Sequence, residues 1–84
     1  MSQSQDREEL IAFLDGIRRP DMAVTAIADE DSLTESGLID SLSVLEIMLY
    51  LETKYNIDFA SEGFDPADLG SISDILSLVA RRAA

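Results

Sequence analysis

Asp40 and Ser41 are the residues whose types and spacing could do chemistry in this sequence. They stand in the run Gly37-Leu38-Ile39-Asp40-Ser41-Leu42, where a stretch rich in helix formers predicts a helix over 41–55. With Asp40 as its N-cap, that helix would direct free N–H groups and its positive dipole end toward the Ser41 hydroxyl. Such a position favours a phosphate on the hydroxyl, and the Asp40 carboxylate could help hold magnesium during phosphate transfer. Asp-Ser is also a common plain cap, so the dipeptide alone leaves both interpretations open.

The composition argues against catalysis by the chain alone. There is no histidine and no cysteine, which removes the commonest general base, the commonest thiol nucleophile and the two best zinc ligands. A serine triad of the ordinary kind would have no base. Calcium binding by the acids of 29–35 fails on pattern, because Leu33 falls where a third ligand should be and no glycine follows. The sequence therefore predicts a protein that is not an enzyme and has no metal site of its own.

Periodic apolar residues predict the helix that precedes the site. It should run over about 6–19, with Asp6 and Glu9 as its N-terminal capping pattern and Pro20 as its stop. One face of this first helix carries Leu10, Ile11, Phe13, Leu14 and Ile17.

A long loop should connect this helix to Asp40. A connection of about 20 residues is unusual unless it is functional or pinned to the core by its own apolar residues. Leu33, Leu38 and Ile39 could provide that pinning. The sequence therefore predicts an ordered loop in front of Ser41.

The helix over 41–55 carries more apolar surface than one core face needs. At about 100° per residue its core face holds Val44, Ile47, Met48, Leu51 and Tyr55. A second stripe consists of Leu42, Leu45 and Leu49, with Glu46 and Glu52 on either side of it. This leucine stripe could pack under the long loop or the third helix, or it could be a docking face for partner proteins.

Two further helices complete the prediction. Asp65 and Pro66 predict the cap and first residue of a short third helix over 65–69, and Ser71 predicts the cap of a fourth over 72–82. The apolar residues of the fourth helix are Ile72, Ile75, Leu76 and Val79. We expect an all-α, four-helix bundle that forms a single domain over 1–84, with residues 1–5 flexible.

The charge indicates what kind of partner the chain would meet. Its 17 acids against 6 bases give a formal net charge of −11, which repels nucleic acid and anionic lipid and favours encounter with basic protein surfaces. No stretch is long and apolar enough for a membrane span. The polar first residues lack the features of a signal peptide, so we expect a cytoplasmic monomer that binds no nucleic acid.

The stretch from Leu33 to Phe59 resembles the acyl carrier protein superfamily. The resemblance rests on Gly37-Leu38-Ile39-Asp40-Ser41-Leu42, on the helix that follows and on Leu51-Glu52-Thr53-Lys54-Tyr55. It implies a four-helix bundle in which Ser41 receives phosphopantetheine from coenzyme A through a magnesium-dependent phosphopantetheinyl transferase. It also implies that Asp40 assists the transferase's metal. The partner-facing positions that it implies are Leu42, Leu45, Glu46, Leu49 and Glu52.

Departures from the fatty acid carriers indicate which kind of carrier this is. Two apolar residues separate Gly37 from Asp40, Ser43 replaces an acid, and Tyr50 and Lys54 stand where many fatty acid carriers have a small residue and an acid. The Gly-Leu-Ile-Asp-Ser form is more similar to discrete carriers served by an adenylating ligase, such as D-alanyl carriers.

The expected function is therefore a discrete acyl or aminoacyl carrier. It would shuttle a thioester-bound group between an activating ligase and a downstream transferase or synthase. The alternatives are a fatty acid or polyketide carrier and, in another class, an unmodified acidic adaptor that uses Ser41 only as a cap.

Overall fold

Apolar residues at helical spacing form the long helices of the protein. The computed structural model describes residues 3–62 and 65–83, and over that part it is all-helical, with four α-helices and no strand. The α-helices are α1 (Gln3–Ile17), α2 (Ser43–Tyr55), α3 (Phe59–Glu62) and α4 (Ile72–Ala83), and two 3₁₀ turns span Val24–Ala26 and Pro66–Leu69. Helix α1 packs against α4, and α4 in turn contacts α2. The all-α prediction is confirmed for the described residues.

Helix α1 is shifted toward the N-terminus relative to its predicted bounds. It begins at Gln3 and ends at Ile17, so Asp6 lies inside the helix and does not cap it. The Asp6 carboxylate instead accepts a hydrogen bond from the Tyr55 hydroxyl at 3.2 Å, which ties α1 to the end of α2. Residues 3–5, predicted to be flexible, are helical. The same prediction for residues 1 and 2 lies outside the described residues.

The long loop before Ser41 is pinned as the sequence predicts. Leu33, Leu38 and Ile39 are all buried in the core. The Arg19 backbone N–H donates to the Leu38 carbonyl at 2.8 Å, and the Leu33 N–H donates to the Gly70 carbonyl at 2.9 Å. Gly37 has a φ of 88°, a left-handed conformation that glycine adopts without steric cost. The loop is therefore held by segments from both sides of it in the chain.

Helix α2 begins at Ser43, two residues later than predicted, because Ser41 and Leu42 form a turn that leads into it. It ends at Tyr55, where Asn56 adopts the left-handed conformation that closes many helices. Ile47 and Leu51 are fully buried, and the other predicted core positions, Val44, Met48 and Tyr55, are half-buried.

The predicted short third helix is present as a 3₁₀ turn, and a further one-turn helix upstream of it was not predicted. Pro66–Leu69 forms a 3₁₀ turn, in which the Asp65 carboxylate accepts from the Ala67 N–H as the cap prediction requires. The four residues of Pro66–Leu69 leave little room for α-helical hydrogen bonds before Gly70, and 3₁₀ bonds close the turn instead. A one-turn helix, α3, lies upstream, where Asp58 accepts from the Ser61 N–H at 3.2 Å.

Helix α4 follows its predicted start closely. The buried Ser71 hydroxyl accepts from the Asp74 N–H at 3.0 Å, which is the expected cap. The buried face of α4 holds the predicted residues and, in addition, Leu78. Within the described residues, no helix has the length and apolar character needed to cross a membrane.

Candidate functional site

Ser41 lies exposed in the turn that opens α2. Asp40, beside it, is also exposed, and its side-chain Oδ1 accepts from the Ser43 backbone N–H at 3.0 Å and from the Ser43 hydroxyl at 3.2 Å. Although the regular helix begins later, Asp40 therefore caps the turn as an N-cap does. The Ser41 hydroxyl stands in solvent at the positive end of α2, next to a carboxylate.

The Asp40 carboxyl is held in its charged form. The hydrogen bonds from the Ser43 backbone and then from the Ser43 hydroxyl lower the pKa of Asp40, and the Leu42 backbone and the positive charge of Arg19 add smaller effects in the same direction. A carboxylate that stays ionised can bind a divalent cation without first losing a proton. The turn thus places a potential metal ligand directly before an accessible hydroxyl.

The leucine stripe on α2 is open to solvent. Leu42 is 74% exposed, Leu45 is 54% exposed and Leu49 is 60% exposed. The structure excludes the interpretation that these leucines pack under the long loop or against a neighbouring helix. Three large apolar side chains at helical spacing on one exposed face form a continuous apolar patch that begins beside Ser41.

The two glutamates beside the stripe differ in their surroundings. Glu46 is exposed, and among the described side chains it forms no ion pair. Glu52 is half-buried, and its Oε2 accepts from the Phe59 N–H at 3.3 Å at the start of α3. Glu46 therefore lies in solvent, whereas Glu52 holds the connection between α2 and α3.

The structure gives Tyr50 and Lys54 a packing role that sequence reasoning missed. The Tyr50 ring stacks on Phe13 of α1, with centroids 4.2 Å apart and planes 13° apart, and Lys54 forms an ion pair with Glu9. The departures at these positions thus tie α1 to α2. Tyr50 and Lys54 also line an open, mainly apolar groove of about 640 Å³. Glu46 and Leu49, on the stripe side of α2, line the same groove. The large side chain of Tyr50 indicated a packing role, but the sequence did not show that its partner is Phe13 on another helix.

The site can accommodate a phosphodiester-linked arm. An exposed hydroxyl at the N-terminal end of a helix favours a phosphate there, and the solvent around Ser41 leaves room for a long substituent. Fold and site together define a small acidic protein, helical over its described residues, in which an exposed serine lies beside an exposed apolar face of α2.

Comparison with known proteins places this class in a family. A D-alanyl carrier protein from Leuconostoc citreum (strain KM20) is 30% identical over 73 residues, which cover 87% of this chain and 90% of that protein. No family model and no solved structure matches the chain. The chain belongs to the carrier proteins of the acyl-carrier-like superfamily. Carriers of this kind typically bear a phosphopantetheine arm, and membership implies a carrier and not a catalyst.

Proposed function

We propose that this protein is a discrete aminoacyl or acyl carrier and that Ser41 bears its phosphopantetheine arm. The observation that carries the proposal is the exposed Ser41 hydroxyl, which stands at the start of α2 beside the ionised Asp40 in a chain of the carrier family. The four α-helices, with α1 and α2 both in contact with α4, support the four-helix bundle of such carriers.

The modification of Ser41 is a phosphoryl-group transfer. The Ser41 oxygen forms a bond to the β-phosphorus of coenzyme A, and the bond from that phosphorus to the bridging oxygen breaks. Adenosine 3′,5′-bisphosphate leaves, and the serine proton passes to a base of the phosphopantetheinyl transferase. Asp40 supports the step by helping to hold the transferase's magnesium ion, which offsets the charge on the phosphate oxygens.

The chain itself needs such a group because it has no cysteine and hence no thiol of its own. When bound, the arm supplies the thiol that carries the cargo as a thioester. The protein presents the arm and its own surface, while partner enzymes carry out the chemistry. Those partners are an adenylating ligase that loads the carrier and a transferase or synthase that unloads it.

An aminoacyl cargo is favoured over a fatty acid. The support comes from the relative, whose name is that of a D-alanyl carrier, and from the Gly37-Leu38-Ile39-Asp40-Ser41 spacing. A mass measurement separates the cargo classes. The arm-bearing protein is incubated with ATP and either D-alanine with a D-alanine-adenylating ligase or a fatty acid with an acyl-carrier synthetase. A gain only with the fatty acid contradicts the aminoacyl proposal.

The exposed leucine stripe is proposed as the docking face for these enzymes. Leu42, Leu45 and Leu49 provide an apolar centre, and Glu46 adds a charge that complements basic residues on a partner. This arrangement suits brief binding to several partners in turn, because charge guides the encounter and the modest apolar area limits its lifetime. Glu52 contributes from the edge of this face.

The test of the arm is intact mass after incubation with coenzyme A, magnesium and a promiscuous phosphopantetheinyl transferase. We expect wild type to gain one phosphopantetheine and Ser41→Ala to gain none. Ser77→Ala is the matched control, because Ser77 is an exposed serine of α4, and it should be modified like wild type. If wild type gains no mass, or Ser41→Ala gains it equally, the protein is not a carrier of this type and the adaptor function is favoured.

The docking face is tested separately with Leu45→Asp. Because Leu45 is exposed, we expect unchanged helicity but a kcat/KM for loading by the ligase that falls about tenfold. Ala12→Asp is the control, since it adds the same charge at an exposed position of α1. Equal loading of Leu45→Asp and Ala12→Asp would remove the leucine stripe from the proposed interface.

A further inference from the structure

Ser43 is the first residue of α2 and lies two positions after Ser41. Its backbone N–H and its hydroxyl both donate to Oδ1 of Asp40, at 3.0 and 3.2 Å. A backbone donor alone is an ordinary helix cap, which fixes one contact of the carboxylate. The second donor, from the side chain, restricts how that carboxylate can turn.

This pair of hydrogen bonds holds one oxygen of Asp40, while the Leu42 backbone makes a smaller contribution to the same carboxyl. Both bonds from Ser43 end on Oδ1, so neither of them occupies Oδ2 of Asp40. Carboxylates that bind metals are themselves held by hydrogen bonds from neighbouring groups, which orient the ligating oxygen. Asp40 directly precedes the hydroxyl that reacts, so its orientation determines where a metal can stand relative to Ser41.

We propose that Ser43 is a positioning residue for the modification of Ser41. Its hydroxyl holds Oδ1 of Asp40, so that Oδ2 faces the magnesium ion that the transferase brings. The inference rests on the proposed function and deepens it, because it assigns a role to a residue that touches neither coenzyme A nor the reacting atoms. An acid at this position could not donate a hydrogen bond at neutral pH, so the serine gives this chain its own way of orienting Asp40.

The test compares Ser43→Ala with Ser43→Thr, which keeps a hydroxyl on the same carbon. Transfer from coenzyme A is measured with a promiscuous phosphopantetheinyl transferase over a series of magnesium concentrations. We expect Ser43→Ala to lower kcat/KM about tenfold and to raise the half-saturating magnesium concentration, as loss of an outer-shell partner does. Ser43→Thr should stay close to wild type, and Ser77→Ala should not differ from it.

A second measurement reads the orientation of Asp40 without any enzyme. Three-bond NMR couplings of the Asp40 side chain should report a single rotamer in wild type and in Ser43→Thr, and an averaged rotamer in Ser43→Ala. Circular dichroism of each variant checks that α2 is intact. A variant that keeps its helicity but loses the rotamer preference and also needs a higher magnesium concentration has lost positioning and not folding.

The outcomes separate this inference from the function on which it rests. If wild type takes up no arm, the proposed function fails and the positioning role fails with it. If wild type is modified and Ser43→Ala is modified equally well with the same magnesium dependence, only the role of Ser43 is overturned. A slower reaction of Ser43→Ala with an unchanged magnesium dependence, or one that Ser43→Thr does not restore, also overturns it.

Discussion

Two leucines, each two residues from Asp40 in the sequence, allow a matched test of what holds the site in place. Leu38 lies two residues before Asp40 and is 0% exposed, whereas Leu42 lies two residues after it and is 74% exposed. The same substitution, leucine to alanine, therefore removes core packing at one position and solvent-facing surface at the other. We expect Leu38→Ala to destabilise the fold and Leu42→Ala to leave it almost unchanged.

The expected magnitudes follow from burial. Replacing a buried leucine by alanine costs about 2–5 kcal/mol, because apolar contacts are lost and a cavity remains. A chain of 84 residues has a total free energy of unfolding of about 4–13 kcal/mol. Leu38→Ala therefore removes a large part of the stability and should lower the melting temperature by about 8 °C or more. Leu42→Ala should change the free energy of unfolding by less than about 0.5 kcal/mol.

The assay is urea unfolding followed by far-ultraviolet circular dichroism on the unmodified protein, with the rate of Ser41 modification measured on the same samples. We expect opposite profiles. Leu38→Ala should lower the urea midpoint. Leu42→Ala should keep the midpoint while slowing modification, because Leu42 directly follows Ser41, where the phosphopantetheinyl transferase must bind. Equal midpoints for the two variants would refute the view that Leu38 anchors the loop.

Three further changes test backbone conformation and side-chain ionisation. Gly37→Ala should lower the free energy of unfolding by about 1–2 kcal/mol, because its φ is 88°. Gly16→Ala should raise the free energy of unfolding by about 0.5–1 kcal/mol, since an added Cβ in α1 meets nothing within 4 Å. A shift of either variant's urea midpoint in the opposite direction would contradict the expectation for that variant. Burial, and next the charge of Asp6, raises the pKa of Tyr55 above its ordinary value of 10.0. The contribution of protonated Tyr55 to the free energy of unfolding is therefore fully present below pH 10.0 and is lost as the pH rises above that value. Unfolding measured from about pH 9 to 11 should show this loss reduced in Tyr55→Phe, and an equal slope would contradict it.

Local pattern was sufficient to predict the anchored parts of the fold. Apolar residues in an acidic loop have few uses other than burial, so Leu33 and Leu38 could be assigned to the core from sequence. The cap at Ser71 follows from a short motif whose atoms are neighbours in the chain.

Features that depend on distant partners could not be predicted in this way. Asp6 resembles a cap in the sequence, but its partner is Tyr55, 49 residues away. Tyr50, which differs from the fatty acid carriers, stacks on Phe13 of α1, 37 residues earlier in the chain. Neither contact can be predicted from neighbouring residues in the sequence.

The candidate site likewise has one part that local sequence predicts and one part that depends on distant segments. The turn at Asp40 and Ser41 follows from the motif, and its capping hydrogen bonds involve only residues 40–43. The exposure of the leucine stripe could not be decided from sequence, because it depends on whether the loop and the predicted third helix, the 3₁₀ turn Pro66–Leu69, cover that side of α2. In the structure neither element covers the stripe. Its exposure is determined by tertiary packing and not by the helical pattern.

The hydrogen bonds that hold the loop link the presentation of Ser41 to the synthesis of the whole chain. The segment before the serine is held on one side by Arg19, just after α1, and on the other by Gly70, just before α4. A chain that has not yet added and packed its last helix lacks the second of these supports. On such a chain the transferase would meet Asp40 and Ser41 on a segment that is held beside Arg19 and not yet beside Gly70. We therefore expect attachment of the arm to wait for completed folding, so that each protein molecule bearing a reactive thiol is also one with a finished docking face.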